Sequence, residues 1–96
     1  MYKALVACRA GMGSSVLLKV KVDQVIKENN LDIFTEHGNL DSLIGFNGDL
    51  LITMEDLANE LSDKVDYVIG IKNIIDKEEI ERKLEDFLKF KNEKDK

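Results

Sequence analysis

Cys8 is the one cysteine of the chain, set in the stretch VACRAGMGSSVL (residues 6–17) between an apolar run and a small, glycine- and serine-rich segment. Gly11 and Gly13 can take backbone angles closed to other residues and let the main chain approach a ligand closely. Where a helix follows such a turn, its first N–H groups have no intrahelical acceptor. With the positive helix end they form an anion site. Ser14 and Ser15 add hydroxyl donors or an N-cap, and Arg9 adds a full positive charge. That field stabilises a thiolate and lowers the thiol pKa. A thiolate in a turn that holds a tetrahedral dianion points to acceptance of a phosphoryl group on sulfur. The plain alternative is packing, because cysteine is among the most buried residue types. The succession of strand, cysteine, glycine-rich turn and helix favours the chemical reading.

These roles require particular elements around Cys8. Tyr2–Ala7 (YKALVA) reads as a short buried strand that delivers the cysteine to its end. Ser14 to about Asn29 reads as a helix, with Leu18, Val22, Val25 and Ile26 on one face and Lys19, Asp23, Lys27 and Glu28 toward water. Asn29-Asn30 is its stop. Asp32–His37 is a second strand, less apolar and therefore at a sheet edge. Residues 38–47 are loop or a short turn of helix. Asp49–Thr53 is a third strand, Glu55–Leu61 a short helix and Asp66–Ile71 a fourth strand. Asp76 and Glu79 stand in capping-box relation and open a helix carrying Ile80, Leu84, Phe87 and Leu88 on one face. From about Lys89 the tail KFKNEKDK is mostly charge and is expected to fray. Strands alternating with helices make an α/β fold, a four-stranded parallel sheet with right-handed crossovers and helices on both faces. The expected strand order is 2-1-3-4. It puts the turn after the first strand at the topological switch point, where such sheets bind ligands at the carboxyl ends of their strands.

Composition sets limits on function. The 96 residues make one domain, 44% hydrophobic and 34% charged, as in a soluble globular protein. A net charge of −5 and a pI of about 4.8 argue against nucleic acid as a partner, and the lysines are interleaved with acids. No run is long and apolar enough to span or insert in a bilayer, and the N-terminal segment lacks a signal-peptide layout. A lone cysteine cannot form an internal disulfide. With one histidine beside it, the chain has too few Cys and His for a zinc site, so no metal or cofactor is expected. The expected setting is a reducing cytoplasm.

Other candidates weigh less. His37, the sole histidine, would suit a phosphohistidine relay, but no anion turn surrounds it and it reads as a surface residue. Lys19 and Lys21 could meet an acidic rim on a partner; a solvated helix face is the simpler reading. Glu55 and Asp56 favour a helix N-terminus and, adjacent in sequence, make a poor acid–base pair. Met12 suits an adaptable docking contact.

Two catalytic layouts share a cysteine after the first strand, and one position separates them. Low-molecular-weight tyrosine phosphatases carry Cys-x5-Arg, whose arginine clamps the phosphate and stabilises the transition state. Here that position is Ser14. Without the clamp, and without a convincing acid for the leaving group, the turn suits holding a phosphocysteine rather than hydrolysing it. ACRAGMGSS (7–15) resembles the phosphorylation turn of the IIB components of the sugar phosphotransferase system, in the lactose/chitobiose-like fold group. KVKVDQV (19–25) is similar to the first-helix stretch of the ascorbate branch, and VIGIKNI (68–74) to the last strand and its exit. The resemblance covers residues 2 to about 88.

The resemblance implies a phosphotransferase. Cys8 would take a phosphoryl group from a phosphohistidine on a IIA partner and pass it to a sugar held by the membrane IIC partner. Ascorbate or a related pentose or hexose derivative is the implied sugar. Residues Arg9, Ala10, Gly11, Met12, Gly13, Ser14 and Ser15 would cradle the phosphate. Arg9 departs from the family pattern, where that position is small or uncharged, and MEDLANE after the third strand fits it poorly. Alternatives are a low-molecular-weight phosphatase-like hydrolase, a thiol sensor without a resolving cysteine, and a regulatory module of the same fold that reports phosphorylation.

Overall fold

The computed structural model describes residues 2–7, 12–38, 48–61 and 67–94. The run YKALV forms β1 (Tyr2–Val6), and the chain next described is helix α1 (Met12–Asn29). β2 (Ile33–His37), β3 (Leu50–Met54), α2 (Glu55–Leu61), β4 (Val68–Ile71) and α3 (Lys77–Lys94) follow. Among the described residues the strands make one four-stranded parallel sheet in the order β2-β1-β3-β4. Tyr2 pairs with Ile33 and Val6 with His37 on one side of β1, and Ala4 pairs with Leu50 and Val6 with Ile52 on the other. The expected α/β class and strand order hold.

Alternation along the strands divides the core into two layers. Ala4, Val6, Leu50, Ile52, Ile69 and Ile71 face α1 and α3, and pack with Leu18, Val22, Val25, Ile80, Leu84 and Phe87. Leu5, Ala7 and Leu51 face the other way, where Leu61 of α2 and Val68 close over them. Stepping from β1 to β2 and from β3 to β4 crosses the sheet in opposite directions, with helices on opposite faces. Two crossovers of one hand require that arrangement. β2 alternates buried and exposed residues as an edge strand does, whereas every residue of β3 from Leu50 to Thr53 is buried.

The ends of the helices show how local sequence sets the frame. Asn30 takes a φ of 54°, in the left-handed region that asparagine tolerates. Leu31 N–H then bonds to Ile26 C=O at 2.9 Å and Asn30 N–H to Lys27 C=O at 3.4 Å. This is a Schellman stop, which turns the chain toward β2 as the asparagine pair predicts. At the head of α3, Glu79 N–H donates to Asp76 Oδ1 (3.2 Å), which is half of the expected capping box. The other half is replaced. The Glu79 carboxylate accepts from Lys72 N–H (2.9 Å) and Asn73 N–H (3.0 Å) at the exit of β4.

Two helix boundaries differ from the sequence reading. α1 begins at Met12, two residues before Ser14, and α3 continues through Lys94, past Lys89. The second difference has a visible cause. Phe90 stacks on Tyr67 (5.1 Å between centroids) and Tyr67 on Phe87 (5.2 Å), while Lys91 pairs with Asp49 at 3.5 Å. The charged tail thus carries one aromatic side chain that packs on Tyr67 at the edge of the core.

Candidate functional site

The carboxyl end of β1 is held from both sides. Gly38 N–H donates to Val6 C=O (3.1 Å) beyond the end of β2, and Ala7 N–H donates to Ile52 C=O (3.1 Å) in β3. Ala7 is fully buried, so the end of β1 is fixed in place. Cys8, Arg9, Ala10 and Gly11 lie outside the described residues. Met12, Gly13, Ser14 and Ser15 form the first turn of α1, and their side chains lie outside the description. Five residues, Ala7 to Gly11, therefore join the end of β1 to the start of α1. The early start of α1 changes two expected roles: Gly13 is helical rather than part of the turn, and Ser14 lies within the helix rather than capping it.

What the structure supplies here is a helix N-terminus beside a strand end. The first turn of α1 carries no acidic side chain, so nothing there neutralises the positive end of the helix dipole. Leu18, Val22 and Val25 anchor α1 on the sheet, which fixes the direction of that end. On the opposite side of α1, Val16, Leu17 and Val20 remain about half exposed. Lys19 is engaged with Asp23 (2.7 Å), whose other oxygen accepts from the Thr35 hydroxyl of β2. That pairing accounts for Lys19 within the fold. Lys21 is half-buried on the same helix.

His37 is exposed at the carboxyl end of β2, in register with Val6. The fold thus brings the sole histidine and the end of β1 to the same edge of the sheet, a proximity their spacing in sequence hides. One strand further along, Met54, Glu55, Asn59, Ile71 and Lys72 line a cleft of about 360 Å³ at the carboxyl ends of β3 and β4. Glu55 lies at the start of α2, 4.0 Å from Lys72 Nζ, as an ordinary exposed pair. The Asp56 side chain lies outside the described residues. Among the described residues, no three His, Cys, Asp or Glu side chains are grouped to hold a metal ion, and no helix is long and apolar enough to cross a membrane.

The sequence reading passed over Thr53. It ends the buried run of β3, is fully buried, and its hydroxyl has no hydrogen-bond partner among the described residues. The signal in the sequence is weak: a single hydroxyl closing the run LLIT.

Residues 3–86 match the family model described as "PTS system, Lactose/Cellobiose specific IIB subunit". The chain belongs to this family of IIB subunits. IIB subunits relay phosphoryl groups in the sugar phosphotransferase system (PTS), so the chain is a phosphotransferase. The span agrees with the expected resemblance, and transfer is favoured over the hydrolase reading. Among curated relatives, the IIB chain is 30% identical over 91 residues to the ascorbate-specific PTS system EIIB component of Salmonella choleraesuis (strain SC-B67), covering 91% of this chain and 89% of the relative. It is 29% identical over 83 residues to the component of the same name from Mycoplasma pneumoniae, covering 83% and 87%. The Escherichia coli O157:H7 component of that name is 29% identical over 91 residues, covering 91% and 89%.

Proposed function

We propose that this IIB chain carries the phosphoryl group on Cys8, taking it from a phosphohistidine of a IIA partner and delivering it to a sugar held by a membrane IIC partner. The observation that supports this most is positional. The chain's one thiol follows directly on Ala7 at the switch point of the sheet, and the uncompensated N-terminus of α1 begins four residues later. The 9–15 segment, from Arg9 to Ser15, cradles the phosphate through backbone N–H groups and hydroxyls, and no metal or cofactor takes part. In the first step the Cys8 sulfur attacks phosphorus as the N–P bond breaks. The S–P bond forms, and the imidazole nitrogen keeps the bonding pair and gains the proton the thiol has lost. In the second step a sugar hydroxyl attacks phosphorus, its proton is transferred to the departing thiolate, and sugar phosphate is released. The names of the relatives favour ascorbate as the sugar. The chain acts as a single carrier domain in the cytoplasm, meeting IIA and IIC in turn.

Intact mass after incubation with phosphorylated HPr and a IIA protein tests this reading. The wild-type chain gains the mass of one phosphoryl group, and Cys8→Ser gains none, because a hydroxyl keeps its proton at neutral pH. Full labelling of Cys8→Ser would overturn the assignment and move attention to His37, which stands at the same sheet edge.

A further inference from the structure

β4 stands at one side of the sheet, paired with β3 and, among the described residues, with no other strand. Leu51 N–H bonds to Tyr67 C=O at 2.9 Å. Alternate residues of a parallel strand turn their backbone groups to the same neighbour. Tyr67, Ile69 and Ile71 therefore serve β3, while Val68 and Gly70 turn their N–H and C=O groups outward. One of these outward groups is occupied by a side chain. Lys83 Nζ reaches from α3 and donates to Gly70 C=O. Glu79, one turn earlier on α3, holds the same ammonium at 2.9 Å. The charge thus stands at the outer edge of β4, in a groove of about 210 Å³ that Tyr67, Val68 and Asp86 also line.

The outward groups of β4 are complementary to themselves. Two copies of β4 laid antiparallel about a twofold axis at Ile69 bring Val68 of one copy opposite Gly70 of the other, twice over. Each of these pairs exchanges two N–H···O=C bonds, so every outward group of Val68 and Gly70 finds a partner. A contact of this isologous kind closes at two copies. It needs the Gly70 carbonyl as an acceptor, and Lys83 already fills that place. A lysine charge at an open edge is one of the devices that keep strands from pairing with other chains.

We propose that the free edge of β4 is a docking surface for a second copy of this chain, held shut by Lys83. With the ammonium in place the carrier is monomeric, and its removal opens the edge to antiparallel pairing of β4 with β4.

The experiment measures molar mass in solution by light scattering, from micromolar to millimolar protein, on the full chain. Reducing conditions exclude a disulfide between two cysteines. Wild type is expected to keep the mass of one chain throughout. Lys83→Met rises with concentration toward about twice that mass, and in its dimer the Val68 and Gly70 amides exchange with solvent more slowly than in wild type. Lys83→Arg, which keeps a charged donor for Gly70 C=O, stays monomeric. So does Glu79→Gln, which keeps the ammonium and removes only its carboxylate partner. Lys83→Met that remains monomeric at every concentration overturns the proposal. A dimer without slowed exchange at Val68 and Gly70 also overturns it, because the contact then lies elsewhere. Dimerisation of wild type with slowed exchange at those two amides overturns the part given to Lys83. Where Lys83→Met does not fold, Lys83→Ala is read in the same way.

Discussion

The Glu79 carboxylate gathers three donors at the junction of β4 and α3, Lys72 N–H, Asn73 N–H and Lys83 Nζ (2.9 Å), and Lys83 Nζ also donates to Gly70 C=O. Burial alone pushes its pKa up. The hydrogen bonds from Lys83, Lys72 and Asn73 and the Lys83 charge outweigh burial and bring it from the ordinary 4.5 down to about 2. A depressed folded pKa means that the carboxylate stabilises the fold fully above about pH 4.5, and that this contribution fades as pH falls toward 2. A difference of that size corresponds to of order 3 kcal/mol. Glu79→Gln turns an amide N–H₂ or a single oxygen toward donors that need two acceptors. It is expected to cost about 2–4 kcal/mol at neutral pH. In urea melts its deficit relative to wild type should shrink as pH drops from 4.5 toward 2; a constant deficit across that window would contradict the account. The spacing of Asp76 and Glu79 made this helix start legible in sequence. It did not show where the Glu79 side chain goes, because Lys72 and Asn73 are a turn away and arrive only through the packing of α3 on β4.

Helix α2 illustrates what one absent side chain does for an element. A Cβ built on Gly70 would lie 2.9 Å from Ala58 Cβ and 2.9 Å from Glu55 Cα, closer than real Cβ contacts come. α2 therefore rests directly on β4, at the end of the sheet that carries the cleft beside Lys72. Gly70→Ala forces α2 away from β4, because a backbone atom cannot swing aside. The expected loss is roughly 1–3 kcal/mol, the usual cost of overpacking, read as a lower urea midpoint. An unchanged midpoint would mean that α2 is not seated as described. Element order was readable from alternation and spacing: α2 runs from Glu55 to Leu61, as the sequence predicts. The start of α1 was harder to place. Glycine lowers helix propensity, so Gly13 reads as turn, yet the anchoring of Leu18 and Val22 carries the helix back to Met12. Phe90 likewise extends α3, because one aromatic contact outweighs a charged neighbourhood.

The two ends of the sheet differ in what they carry. At the amino ends of the strands Tyr2 and Tyr67 pack edge-on against Phe87, at 5.5 and 5.2 Å, and Asp49 accepts from Lys3 N–H (3.1 Å). At the carboxyl ends lie the exit toward Cys8, His37, Thr53 and the cleft of Met54 and Lys72. The strand order fixes this polarity, and the alternation of strands and helices already implied it. The pairing of Thr53 beside Ala7 was not legible, because it depends on the register of β1 against β3, which no local pattern encodes. A carrier must hold its group until the next partner arrives, so hydrolysis must be slow where transfer is easy. Ser14 stands where a hydrolase of similar layout has its clamping arginine. Ser14→Arg is therefore expected to hasten loss of phosphate to water severalfold, measured as phosphocysteine decay; an unchanged decay would mean that position 14 does not face the phosphate. The most direct measurement follows the phosphorylated wild-type chain at neutral pH, alone and then with IIC-containing membranes and ascorbate. The account predicts that phosphocysteine persists alone and disappears on adding membranes and sugar, with sugar phosphate appearing in step. Turnover of aryl phosphates by the isolated chain at about 1 per second or faster would contradict it and make the protein a phosphatase.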